Sequence, residues 1–182
     1  MSPDSIRAFL AIELNDQTRR KLGAIQDSLK KTNADIRWVD PKNIHLTLKF
    51  LGNVPSNTLE KLCSAIEKGL KGFSRFEFQL DSLGCFPPKG MPKILWAGVS
   101  EGSDYLEHIE RSLTKQISDF CEKQENKKFS SHITLGRVRS NKNVALLINL
   151  LKESPCKLTE KQAVDHVTLF KSDLTPSGPI YS

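Results

Sequence analysis

Residues 45–52 read HLTLKFLG, and this stretch decides the fold. Polar and apolar residues alternate, as in a half-buried strand whose i and i+2 side chains share a face, about 6.5–7 Å apart. His45 and Thr47 therefore point one way, and Leu46 and Leu48 the other. The setting recurs as HITLGRV from residue 132 and HVTLF from residue 166. The chain has four histidines and nine threonines in 182 residues. Chance would supply only about 0.2 of a His-x-Thr match, so three occurrences require a cause.

Working outward, the elements come in a repeating order. IRAFLAIEL (6–14) is expected as a strand, followed by a helix capped by Asn15 or Asp16 and carrying Leu22, Ile25 and Leu29. After the HLTLKFLG strand, Gly52, Pro55 and Ser56 mark a turn. A second helix follows with Leu59, Leu62, Ile66 and Leu70 on one stripe, ended by Gly72. FEFQL (76–80) alternates as a strand. The order then repeats: the strand KILWAGVS (93–100), a helix capped by Ser103 or Asp104, the charged CEKQENKK, the strand SSHITLGRV, the short helix NVALLINLLKE closed by Pro155, and a last strand within AVDHVTLFKS.

His45 and His132 are 87 residues apart, and the same offset carries Phe9 to Trp96, Asp16 to Ser103 and Leu59 to Leu146. The chain thus reads as one domain, 1–182, made of two strand–helix–strand–helix–strand units, approximately 6–84 and 93–171. Two such units predict pseudo-symmetric lobes rather than a solenoid, which needs three or more repeats. The cleft between lobes is the natural ligand site. His166 has no partner in the first unit and is read as a strand residue that fits the pattern by accident. His108, between Glu107 and Glu110 on a helix, is read as a surface residue.

Composition bounds the class. The net charge is +6 with a pI near 9.2, which favours a polyanionic partner and equally fits a solvated basic surface. Cys63, Cys85, Cys121 and Cys156 are scattered without a CxxC pair, as expected of reduced structural thiols. MSPDSIRAFLAIEL lacks a basic leader, and the longest apolar run, VALLINLL (144–151), is too short for a bilayer. The expectation is a soluble cytoplasmic monomer with no membrane association.

A single His-x-Thr strand is best explained as a histidine satisfied in a core. Two at equivalent positions of a duplicated unit, facing one cleft, suit phosphodiester cleavage. One neutral imidazole accepts a proton from the attacking water, and one imidazolium gives a proton to the leaving oxygen. A pKa near 6.5 lets both forms coexist near neutrality. Thr47 and Thr134 can donate to the non-bridging oxygens. A metal site is the rival, but two histidines are few ligands, and no cofactor or metal is expected. Lys49 shares strand parity with His45 and Thr47, so it is a candidate for the phosphate. Arg137 has the wrong parity relative to His132, unless Gly136 permits a bulge; a guanidinium suits phosphate better than an ammonium.

With these residues in hand, the chain resembles the two-histidine (2H) phosphoesterases. Within them it is most similar to the RNA 2′,3′-cyclic phosphodiesterase branch, historically called 2′-5′ RNA ligase. RAFLAIEL, RWVDPKNIHLTLKFLG, GCFPP before ILWAGV, HITLGRV and LFKSDLTPSGPIYS carry the resemblance over nearly the whole chain. It implies an α+β fold of two lobes, with antiparallel sheets and outer helices around a central groove. It implies metal-independent hydrolysis of RNA or nucleotides with 2′,3′-cyclic phosphate ends to 2′-phosphomonoesters. His45 would be the proton donor to the 3′ oxygen and His132 the acceptor that activates water, with Thr47, Thr134 and Arg137 holding the phosphate. Ser131 and Gly136 stand where members often have Pro and Ala. Trp38, Phe50, Phe86 and Tyr181 could stack on the base, Phe50 and Tyr181 foremost. The alternatives are 2′-5′ ligation or 2′-5′ oligonucleotide cleavage, and a nucleotide- or RNA-binding module without turnover.

Overall fold

The computed structural model describes residues 4–121, 128–153, 161–176 and 178–182. Ten strands and four α-helices are formed among them. The strands are β1 (Ser5–Glu13), β2 (Ile36–Trp38), β3 (His45–Pro55), β4 (Phe76–Phe78), β5 (Leu80–Phe86), β6 (Ile94–Val99), β7 (His132–Val138), β8 (Gln162–Val164), β9 (Thr168–Thr175) and β10 (Gly178–Tyr181). The helices are α1 (Asp16–Lys30), α2 (Leu59–Leu70), α3 (Ser103–Ile117) and α4 (Val144–Glu153).

The fold is α+β, with antiparallel pairing throughout. β10, β9, β1, β3, β7, β6 and β5 run in that order across one sheet, and β2 adds to β7; β4 and β8 form a separate pair. The halves join where β3 meets β7, at the single partner pair Leu46 and Ile133. Both side chains are fully buried, with Leu10, Leu95 and Leu135, in one core that takes residues from each half. Burying each such side chain contributes about 1.5–3 kcal/mol. Beyond that pair β3 and β7 part, and β2 occupies the flank of β7 through Ile36 opposite Val138 and Trp38 opposite Gly136.

Helix entry follows local chemistry. Asn15 caps α1, its side chain accepting from the Thr18 amide at 2.7 Å. α3 departs from the sequence expectation. Gly102, at φ +82°, precedes its first turn, and neither Ser103 nor Asp104 acts as the cap. The expected stripes of α2 and α3 are buried at Leu62 and Ile66, and at Leu106, Ile109, Leu113 and Ile117. Pro155, Cys156 and most of the charged CEKQENKK segment lie outside the described residues.

Three further corrections concern strands. FEFQL does not form one strand: Phe76–Phe78 pairs with β8 in the small sheet, while Leu80 begins β5 in the large one. AVDHVTLFKS likewise splits into β8 and β9, leaving His166 between them. The constant offset of 87 also slips on the outer strand. Ala11 lies opposite Thr47 and Trp96 opposite Thr134, so the partner of Phe50 is Phe9 but that of Arg137 is Ile94. The third strand of each unit moreover crosses to the other lobe: β5 pairs with β6, and β9 with β1.

Candidate active site

The central strands explain which side chains reach the groove. With Leu46 opposite Ile133, the antiparallel register sets His45 across from Thr134 and Thr47 across from His132. Leu46, Leu48, Ile133 and Leu135 point into the core, so the four polar side chains share the opposite face. The two imidazoles occupy diagonal corners, about 7–8 Å apart by ordinary sheet geometry. Each motif is followed by a β-bulge at the same place. Thr47 and Lys49 pair with consecutive residues of β1, and Thr134 and Gly136 with consecutive residues of β6, so Leu48 and Leu135 are the extra residues.

These bulges reverse the parity that alternation alone would give. Arg137 is thereby turned to the groove face, as is its counterpart Phe50, and both line the groove. The bulge anticipated at Gly136 is present, one residue earlier. Lys49 is turned the other way, which corrects its assignment to the phosphate. Its Nζ lies 3.3 Å from Glu110 Oε1 on α3, and Glu110 also accepts from Thr114 Oγ1 at 2.7 Å. The bulge at Leu135 is held from behind. Its carbonyl accepts from the Val39 amide at 3.0 Å and from Nε2 of the fully buried Gln26 at 2.9 Å, and Gln26 also reaches the Val39 carbonyl.

The histidines are anchored alike. His45 Nδ1 bonds the Asn43 carbonyl at 2.8 Å, and His132 Nδ1 bonds the Ser130 carbonyl at 2.7 Å. A carbonyl oxygen only accepts, so Nδ1 carries the proton in both rings and Nε2 is left for proton exchange. Burial pushes the His45 pKa below its ordinary value; the Asn43 bond opposes this, and the charge of Arg19 reinforces it. Neither Thr47 nor Thr134 spends its hydroxyl on another described residue.

The groove encloses about 910 Å³ and is lined by His45, Thr47, Phe50, Thr134, Arg137 and Tyr181, together with Arg7, Phe9, Arg37 and Trp38. His132 is on the same strand face as Thr134, one pleat away, and is not itself among the residues that line this cavity. Of the predicted aromatics, Phe50 is half-exposed in the groove and Tyr181 stands edge-on to His45 at 5.3 Å. Phe86 stands edge-on to His132 at 5.1 Å. Trp38 lines the groove with Lys30 Nζ at 5.9 Å from its ring centre.

Sequence reading missed Phe9 and Phe170, which lie together on one side of His45 at 4.9 and 6.1 Å. It also missed Arg7 and Arg37. Phe170 arrives on the exchanged strand β9, as Phe86 does on β5 beside His132, so nothing in the sequence near His45 signalled Phe170.

The third His-x-Thr lies away from the groove. His166 Nε2 is 3.6 Å from Glu13 Oε2, Thr168 Oγ1 donates to the same oxygen at 3.2 Å, and His166 also bonds Asp165. The exposed pair anchors Glu13 at the end of β1. His108 is exposed, edge-on to Phe73. Among the described residues, no three of His, Cys, Asp and Glu converge as a metal-binding group, and no helix is long and apolar enough to cross a membrane.

Comparisons with known proteins agree with this duplicated architecture. The RNA 2′,3′-cyclic phosphodiesterase of Methanothermobacter thermautotrophicus is 33% identical, over 97% of this chain and 95% of its own. That of Thermotoga maritima is also 33% identical, over 97% and 91%. The fold matches E. coli LigT, solved with 3′-AMP, at a TM-score of 0.81 and 24% identity, covering 98% and 95% of the two chains. A Thermus thermophilus protein matches at 0.80 and 23%, covering 97% and 94%. The family described as LigT like Phosphoesterase matches twice in succession, over residues 12–96 and 98–181, one match for each His-x-Thr half. The chain therefore belongs to the LigT like phosphoesterases, and it is an enzyme of phosphodiester cleavage.

Proposed function

We propose that this enzyme opens 2′,3′-cyclic phosphate ends of RNA to 2′-phosphomonoesters, with His132 as base and His45 as acid. His132 Nε2 takes a proton from water as its oxygen bonds to phosphorus. The bond from phosphorus to O3′ breaks, and His45 Nε2–H supplies the proton to that oxygen. Thr47 and Thr134, at the other two corners of the quartet, donate to the non-bridging oxygens, and Arg137 reaches back along β7 to neutralise them. Phe50 and Tyr181 offer faces for the terminal base.

The observation that carries this reading is the matched pair of imidazoles, each fixed by its Nδ1 on the carbonyl two residues upstream and each diagonal to the other across the junction of β3 and β7. A diagonal of about 7–8 Å leaves room for one phosphoryl group between base and acid. The names of the relatives supply the substrate class. Because the quartet draws on both halves, residues 1–182 act as one bilobal domain, and a single chain holds the whole site.

The test is product analysis on RNA ending in a 2′,3′-cyclic phosphate, with EDTA present, beside 2′-5′-linked oligonucleotides. A 2′-phosphate product is expected, with turnover lost in His45→Ala and in His132→Ala. A 3′-phosphate product, or full turnover in either variant, would refute the assignment.

A further inference from the structure

Arg37 and Arg137 are direct Cα partners across β2 and β7. Like charges placed opposite one another destabilise a ladder. Among the described residues neither has a carboxylate within ion-pair distance, and nor does Arg7, which lines the same groove from β1. Asp40 is nearby in the lining, but its Oδ1 accepts from the Lys42 amide at 3.0 Å. All three arginines line the groove that the β9–β10 hairpin borders. The Arg37 Nη2 lies 3.6 Å from where a side chain on Gly178 would begin. Arg7 and Arg137 both act on the Tyr181 hydroxyl, opposing the upward push of burial on its pKa.

One phosphoryl group cannot use all three. Arg137 stands three residues beyond Thr134, about 10 Å along the strand before the bulge is allowed for. A long side chain on the groove face can return from there to the quartet. Arg37 begins a further strand away, and Arg7 comes from the opposite flank beside Asn53. The groove of about 910 Å³ is near the top of the ~300–1,000 Å³ range of small-molecule sites, larger than one cyclic nucleotide needs. Around its mouth Phe50, Leu174 and Ile180 are 50%, 68% and 57% exposed.

We infer that Arg7 and Arg37 form a second phosphate subsite, which takes the phosphodiester immediately 5′ of the cyclic end and selects an RNA terminus over a free cyclic nucleotide. This rests on the cyclic phosphodiesterase reading above. The Arg37 charge, set against Arg137 across β2 and β7, is relieved when the RNA brings a phosphodiester charge beside it.

The experiment compares three substrates: 2′,3′-cyclic AMP, a dinucleotide with the same cyclic end, and that dinucleotide with a neutral methylphosphonate linkage. Charge-assisted contacts predict a gain in kcat/KM of about tenfold to a hundredfold for the charged dinucleotide, mostly through KM. The gain should disappear with the neutral linkage and in the Arg7→Gln/Arg37→Gln double variant, with no further loss when the two are combined. The salt dependence of dinucleotide affinity should be steeper by about 0.7 in log–log slope. Equal kcat/KM for all three substrates would overturn the subsite, as would a loss in the double variant that extends fully to cyclic AMP. Arg37→Gln should melt no lower than the parent; a lower melting temperature would assign Arg37 to the fold instead. Cyclic AMP turnover without a charge-dependent gain would defeat the subsite alone, whereas no turnover on any cyclic end would defeat the functional reading.

Discussion

Phe50 and Arg137 stand at the same place in the two lobes, each following a bulge and each turned to the groove. Duplication supplied two equal positions, and one now carries a ring while the other carries a cation. Replacing Arg137 with Ala should lower kcat/KM on cyclic ends by about tenfold to a hundredfold, as read by steady-state kinetics. Lys49→Ala should leave kcat/KM within about twofold and instead lower stability by about 1 kcal/mol in denaturant titration, since its partner Glu110 lies on α3. His45 sets the pH response. Burial lowers its folded pKa, so its imidazolium is lost, and kcat/KM should fall, as pH rises through a value below 6.5. The unfolded chain binds that proton more readily. Stability should therefore be full above pH 6.5 and decline as pH falls through the folded value, a decline reduced in His45→Gln. Imidazole NMR titration gives the folded value directly, and phosphate added to the groove should raise it. That His45, Thr47 and Thr134 share the groove-side face, and that a bulge near Gly136 could bring Arg137 to it, was legible in the sequence. Lys49 was misplaced because simple alternation cannot show which side of a bulge a residue follows.

At the scale of elements, bulged backbone is made durable by what packs behind it. Gln26 sits on the buried stripe of α1 with Leu22 and Leu29, where periodicity would call for an apolar residue. Its amide bonds the Leu135 and Val39 carbonyls. Gln26→Leu should cost about 1–3 kcal/mol and reduce kcat/KM as Arg137 loses its aim; thermal denaturation and kinetics measured together would show the coupling. On the other side of β7, Trp96 lies across Gly84, where an added Cβ would collide with its ring. Gly84→Ala should cost about 1–3 kcal/mol through overpacking and disturb Phe86, the neighbour of both Trp96 and His132. Strand β1 could be read from its apolar run, buried without a break from Ala8 to Ile12, and helices α1, α2 and α4 from their periodic buried stripes. β2 could not, being three residues paired with the distant β7, nor could β10, four residues with no alternating pattern. FEFQL and AVDHVTLFKS looked continuous because their apolar residues serve two different sheets.

At the scale of the molecule, the two units are interdigitated rather than adjacent. The duplication and the lobes were visible in the 87-residue offset, but the exchange of β5 and β9 was not, since nothing local records which sheet edge a strand will join. Severing the loop near Gly90 and Met91 tests the arrangement. Residues 1–90 and 91–182 made separately should each be unfolded by circular dichroism, and together they should recover cyclic phosphate turnover; a folded single fragment would contradict it. The same exchange imposes an order on biosynthesis. Domains ordinarily fold from the N-terminal side as the ribosome works. Here the lobe begun first lacks an edge until β9 emerges, and the His45 ring waits for Phe170 and Tyr181 to close around it. Half of this proposed acid–base pair is encoded early and assembled late, so a nascent chain carries both His-x-Thr strands before it has an enzyme's groove.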